Sequence, residues 1–202
     1  MPTLTKKAIR KIHRANRAKF SELEQQNHAD AVKNQLVEAQ LALHTKTVAA
    51  YLASDGELDL QQAITYLHFH AVNVLVPKVA GKAMNFVQLK RNTDLVENTF
   101  GINEPVSDIT VSIGDKDVVL VPGVAFTPSG DRLGRGGGYY DDYLSTHRSL
   151  VNIGVAHECQ MVQSLPTDEN DIKLDAVVTE KGWRYVSRRA SQYLNLTRTD
   201  DN

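Results

Sequence analysis

Residues Val118–Val121 (VVLV) are uniformly apolar, stop abruptly at Pro122 and Gly123, and lead through GRGGG into YYDDYL, which reads as the first turns of a helix. A short buried strand, a glycine-rich bend and a helix in that order belong to α/β architecture. Other segments fit the same alternation. Residues 47–53 read as a strand closed by Ser54, Asp55 and Gly56, 58–70 as a helix, and 71–79 as a buried strand. Residues 84–90 alternate as a half-exposed strand, and Phe100, Gly101, Ile102, Glu104 and Pro105 as a turn. A helix at 138–147 and strands at 151–156 and 176–179 complete the pattern, and two amphipathic helices broken near Ser21 and Asn27 precede it. The expectation is a single-domain α/β protein, a three-layer sandwich around a largely parallel sheet, spanning 1–183, with 184–202 as a short helical and then polar tail.

The bend has the chemistry of a phosphate cradle. Gly134, Gly136, Gly137 and Gly138 lack the Cβ atoms that keep an anion away from backbone amides. Arg132 and Arg135 can add forked, charge-assisted hydrogen bonds. The positive end of the following helix favours an anion as well, and Asp141 stands where a carboxylate could hold the magnesium that accompanies a nucleotide. The bend is not a Walker loop, because no GK[ST] follows, and its spacing does not meet the dinucleotide fingerprint.

With 202 residues and 42% hydrophobic content, one substantial core is expected. A formal charge of -1 argues against a general nucleic-acid or membrane-surface binder. The charge is uneven, since Lys6, Lys7, Arg10, Lys11, Arg14, Arg17 and Lys19 crowd the first nineteen residues without an acid. Lys6, Arg10, Arg14 and Arg17 fall on one helical face. Taken alone, such a stripe is more often a solvated surface. The single cysteine, Cys159, excludes an internal disulfide and suits a reducing, cytoplasmic setting, and no segment is apolar enough to span a bilayer. The seven histidines show no zinc-type spacing, and Cys159 and Trp183 read as packing residues.

The stretch from PGVAF through GDRLGRGGGYYD (122–141) resembles the signature of the 5-formyltetrahydrofolate cyclo-ligase family, also called methenyltetrahydrofolate synthetase. The resemblance extends to Lys6 and Arg10, to YLASDGELD (51–59), to VPKV (76–79) and to ENDIKLDAVVTEKG (169–182). It implies an ATP- and Mg2+-dependent ring closure of 5-formyltetrahydrofolate to 5,10-methenyltetrahydrofolate, with release of ADP and phosphate. Lys6 and Arg10 match residues that hold ATP phosphates. Arg132, Gly134, Arg135, Gly136, Gly137, Gly138, Tyr139 and Tyr140 match the nucleotide-binding stretch. Glu57 matches a glutamate that contacts the pterin, and Leu52 a residue packed on the same folate. Arg135, Gly136, Gly138 and Tyr139 are implied on the folate side too, with Arg10, Arg135 and Tyr140 closest to the chemistry. Asp141 and Asp171 are the implied magnesium carboxylates, Asp175 being the nearby competitor. Arg14 and Arg17 carry no such support and read as surface charge or supporting groups. Some family members have a lysine in mid-loop where this chain has Gly137.

Two other readings compete: a small-molecule kinase using the same loop, which predicts a phosphorylated product, and a nucleic-acid-associated protein using the basic amino-terminal helix. The lack of aromatic residues among the basic positions weighs against the second.

Overall fold

The computed structural model describes residues 4–81, 83–98, 101–111, 113–115 and 117–194. Expectations placed on Phe100 and on residues 195–202 of the tail lie outside the described residues. The helices are α1 (Lys6–Arg17), α2 (Glu22–Glu38), α3 (Leu41–His44), α4 (Gln61–Phe69), α5 (Tyr139–Thr146) and α6 (Arg188–Tyr193). The strands are β1 (Thr47–Ala49), β2 (Asn73–Ala80), β3 (Ala83–Gln88), β4 (Leu95–Glu97), β5 (Asn103–Pro105), β6 (Val118–Val121), β7 (Ala125–Phe126), β8 (Arg132–Leu133), β9 (Val151–Val155), β10 (Ala176–Thr179) and β11 (Gly182–Tyr185). A 3-10 turn spans Glu158–Gln160.

The main sheet has the order β11-β10-β9-β6-β1-β2-β3. Its five inner strands are parallel, and the antiparallel strands β3 and β11 close the two edges. Side chains alternate between two cores, as a strand's two-residue period requires. Val48, Val74, Val76, Val118 and Leu120 face one way with Leu36, Ile64 and Leu67 of α2 and α4. Ala49, Leu75, Val119 and Val121 face the other way with Leu144 of α5. The expected three-layer α/β sandwich with a largely parallel sheet is therefore the observed architecture.

Strand β1 leads through α4 to β2 on one side, whereas β6 leads through α5 to β9 on the other. The winding direction reverses between β1 and β6, and the carboxyl ends of strands beside such a reversal are where open α/β sheets bind ligands.

The structure differs from expectation in four places. The first strand ends at Ala49, and residues 50–54 continue as extended chain. Asn27 lies inside α2; the break is at 18–21, where Ser21 and Glu24 form a reciprocal capping box. Glu104 and Pro105 belong to β5, which pairs with β4 rather than forming a turn. Strand β11 runs through the expected boundary at 183/184, and Arg189 of α6 bonds Asp175 at 2.6 Å, which ties residues 184–194 to the sheet. No described helix is long and apolar enough to cross a membrane.

Candidate active site

Three segments meet at the carboxyl end of the sheet: the turn after β1, the glycine-rich bend after β6 and β8, and α1, which lies across both. Helix α1 starts at Thr5, whose hydroxyl accepts from the Ala8 amide at 3.2 Å. It is anchored by Ile9, packed with Ala125 and Leu133. Lys6, Arg10 and Arg17 of its basic stripe point into the molecule, and Arg14 stays exposed. Lys6 Nζ donates to Asp168 Oδ2 at 2.6 Å and Asp171 Oδ2 at 2.8 Å. Arg10 Nε donates to the Gly134 carbonyl at 2.8 Å. Arg14 Nε lies 3.2 Å from Asp55 Oδ2. Arg17, at 1% exposure, donates to the carbonyls of Asp55 (2.7 Å) and Gly123 (3.3 Å). Of the two readings of Arg17, the supporting group is the one observed, since it is buried and joins α1 to two loops. Their attachment fits the backbone of the first loop, where Asp55 has φ +54° and Gly56 φ +70°, a strained conformation for a side chain such as that of Asp55.

The glycine bend is shaped by its neighbours. Gly136 and Gly138 have φ +111° and +74°, open to glycine and costly for other residues. A Cβ at Gly134 would sit 2.7 Å from Arg132 Nη1, so the absence of a side chain there lets the guanidinium pass. Arg132 is buried, donates to Asp141 Oδ2 at 2.8 Å and lies 5.7 Å from the centre of the Tyr140 ring. Asp141 Oδ1 also accepts from the Ile172 amide at 3.2 Å, which brings the neighbouring Asp171 to the same place. The side chain of Asp171 is held below the usual carboxylate range: burial works against this, but the bonds from Lys6 and the Asp168 amide outweigh it.

Arg135 links the bend to the β1 turn. Its Nη2 donates to the Ser54 carbonyl at 2.8 Å and the Ser54 hydroxyl at 2.7 Å. Its Nε lies 3.2 Å from Glu57 Oε1, off the line of a hydrogen bond. The Glu57 carboxyl is pushed up by burial, against the pull of Arg135 and a bond from the Ser54 amide at 3.2 Å. Tyr140 has its hydroxyl buried with no partner among the described residues, and burial raises its ionisation range strongly. Tyr139 reaches the Gly81 carbonyl at 3.3 Å, and Leu52 packs half-buried against the α2/α4 core.

Lys6, Arg10, Arg132, Gly134, Arg135, Gly136, Gly137, Gly138, Asp141 and Asp171 are therefore one connected neighbourhood, with Glu57 joined to it through Arg135. Sequence reasoning did not single out Ser54, Asp55 or Asp168, which position Arg135, Arg17 and Lys6. His28, His157 and Glu180 place ligand atoms within 4.8 Å of one another, although no sequence spacing announces it.

The 5-formyltetrahydrofolate cyclo-ligase family model matches residues 2–180. The chain is 40% identical over 148 residues to the 5-formyltetrahydrofolate cyclo-ligase of Escherichia coli K12, covering 69% of this chain and 81% of that protein. It is 30% identical over 181 residues to the Haemophilus influenzae enzyme of the same name, covering 86% and 97%. The NMR structure of Aquifex aeolicus 5,10-methenyltetrahydrofolate synthetase superposes with a TM-score of 0.79 at 34% identity, covering 91% of this chain and 93% of that one. A synthetase from Mycoplasma pneumoniae shares the fold, with a TM-score of 0.67 at 24% identity and coverage of 88% and 99%. With the match running from the amino-terminal stripe through the glycine bend to Glu180, this chain belongs to the 5-formyltetrahydrofolate cyclo-ligase family.

Proposed function

We propose that the protein catalyses the ATP-dependent closure of 5-formyltetrahydrofolate to 5,10-methenyltetrahydrofolate, releasing ADP and phosphate. The observation that carries the site assignment is Arg135. This residue belongs to the phosphate-type bend yet bonds the loop that presents Glu57. One guanidinium thereby joins a place for the triphosphate to a place for the pterin.

The chemical difficulty is that a formyl oxygen is a poor leaving group. Transfer of the terminal phosphoryl group to that oxygen, with departure of ADP, converts it into a good one. Attack by folate N10 then forms the new C–N bond, phosphate leaves with the old oxygen, and the N10 proton passes to solvent. The protein supplies alignment and charge for this, and no covalent nucleophile is needed.

On the phosphate side, Lys6, Arg10, the amides of Gly136–Gly138 and the start of α5 receive the negative charge. Lys6 is engaged by the largely exposed Asp168, a kind of pair that contributes only about 0–1 kcal/mol, and by the less exposed Asp171, so it is the Asp168 contact that phosphate replaces at little cost. Arg132 is committed to Asp141 and acts by holding that carboxylate. Asp171 Oδ1 has no hydrogen bond among the described residues, and Asp141 adjoins it, a hard-oxygen pair that fits magnesium. When bound there, magnesium supplies charge neutralisation to the phosphates. On the folate side, Glu57 accepts the paired N–H groups of the pterin edge, and Arg135 favours its ionised form against burial. Leu52 and Tyr139 flank the ring, and the unpartnered Tyr140 hydroxyl is a donor for a folate oxygen.

The inward turn of the stripe removes the ground for a nucleic-acid surface on that helix face. The decisive experiment mixes purified protein with 5-formyltetrahydrofolate, ATP and magnesium and follows the methenyl chromophore. ATP-dependent growth of the chromophore is expected; a stable phosphorylated folate in its place would indicate the kinase reading.

A further inference from the structure

We infer that His28, His157 and Glu180 form a binding site for a borderline transition-metal dication of the zinc type, with a donor set separate from the Asp141–Asp171 pair. His28 projects from the middle of α2, His157 follows β9, and Glu180 follows β10, so the sheet gathers side chains that the sequence separates. His28 Nδ1 lies 3.0 Å from His157 Nδ1, and His28 Nε2 lies 3.8 Å from Glu180 Oε1. One ligand atom from each residue lies within 4.8 Å of the other two.

The arrangement has features of a built site. His157 is 1% exposed, and its buried Nε2 makes no well-aligned hydrogen bond among the described residues, the Gly56 backbone being a polar group near the ring. The carboxylate of Glu180 is fixed through Oε2, which accepts from the Glu158 amide at 2.9 Å, and Oε1 is left to face His28. Such outer bonds orient metal ligands. The Phe20 ring covers both imidazoles, with centroids 4.8 Å from His28 and 5.1 Å from His157. Metal–ligand bonds of about 2.0–2.2 Å in a tetrahedron need ligand atoms about 3.3 Å apart. The two observed separations involve different nitrogens of His28, so a single cation requires the His28 ring, half-buried on its helix, to turn and offer one nitrogen between His157 and Glu180. Two imidazoles and one carboxylate leave a fourth position for water, and the imidazoles favour zinc, cobalt or nickel over magnesium and calcium. The competing account is a plain hydrogen-bonded chain from Glu180 through His28 to His157, with no affinity for metal.

The test uses the full chain, stripped with a chelator and titrated with Co(II) as a spectroscopic probe and with Zn(II) by calorimetry. One equivalent of Co(II) should bind with visible bands of tetrahedral type, be displaced by Zn(II), and raise the melting temperature. His28→Ala should weaken binding at least 100-fold and abolish the thermal shift, Glu180→Gln should weaken it at least tenfold, and Asp171→Asn should leave it unchanged. The metal-free melting temperature of His28→Ala, a half-buried position, checks that the fold is kept. Absence of saturable binding, retention of affinity in His28→Ala, or loss of binding in Asp171→Asn would each overturn the assignment. Every readout is independent of turnover, so the outcome is separable from that of the cyclo-ligase assay.

Discussion

The two ends of the parallel sheet are made by the same strands and satisfy their polar groups to different degrees. At the amino end, Asp117 accepts from the Thr45 hydroxyl, the Thr47 amide and the Gly114 amide at 3.0, 3.1 and 2.8 Å. Asp175 likewise gathers the Asn152 amide, the Ser187 hydroxyl and Arg189. At the carboxyl end, Arg17 Nε, Arg132 Nε, Arg135 Nε, the Tyr140 hydroxyl and His157 Nε2 are buried without hydrogen-bond partners, five of the seven such atoms among the described residues. Buried polar atoms are normally paired, since leaving one unmade costs about 1–3 kcal/mol. The amino end keeps two such atoms, His44 Nε2 and Asn152 Oδ1, whereas the carboxyl end concentrates five, with those of Arg132, Arg135 and Tyr140 in and around the glycine bend.

This contrast can be broken experimentally. Arg135→Ala should lower kcat/KM by about 10³-fold, about 4 kcal/mol on the barrier, with little change in melting temperature; normal turnover in the chromophore assay would remove Arg135 from the site. Arg17→Met should cost about 2 kcal/mol in denaturant unfolding, because the Asp55 carbonyl loses its donor while the Gly123 carbonyl keeps Gln160 Nε2 at 2.8 Å. Asp117→Ala should cost about 2 kcal/mol of stability while the folded fraction keeps its kcat. A kcat loss matching that of Arg135→Ala would erase the distinction between the two ends. Tyr140→Phe should slow turnover about tenfold and leave stability unchanged or about 1 kcal/mol higher, since it deletes an unpaired hydroxyl; equal losses in both measurements would make the hydroxyl structural.

The smallest effect concerns pH. Burial, then the nearby His28 and Arg17, lowers the pKa of His157 to about 4 from an ordinary 6.5. The unfolded chain therefore takes up this proton first, so stability is full above about 6.5 and falls as pH drops towards about 4. His157→Phe should flatten that part of the stability–pH curve.

How much of this was legible in the sequence depends on the range of the interaction. The strands Val118–Val121 and Ala176–Thr179 were readable because both faces are apolar, and α5 because the glycine bend precedes it. Strand β11 escaped because Trp183, Arg184 and Tyr185 are all half-buried and show no alternation, although Gly182 at φ +118° marked its hairpin. The motif residues were recognised through the family resemblance. What pairs with what was not, because Lys6 meets Asp171 across 165 positions and His28 meets His157 across 129. Local spacing carries no trace of such contacts.

The inward stripe of α1 has one more consequence. In the contacts of this helix with the sheet's carboxyl end, Ile9 is the buried hydrophobic residue, set among Ala125, Leu133, Val162 and Leu165, and the remainder is charge and hydrogen bonding. Neither of the two large cores depends on it. The helix is therefore a clasp, fastened by polar contacts that a phosphate can remake, and its grip is expected to tighten as nucleotide arrives. Amide exchange along residues 6–17, slowed by ATP far more than exchange in β6 or β9, would be the signature of that fastening.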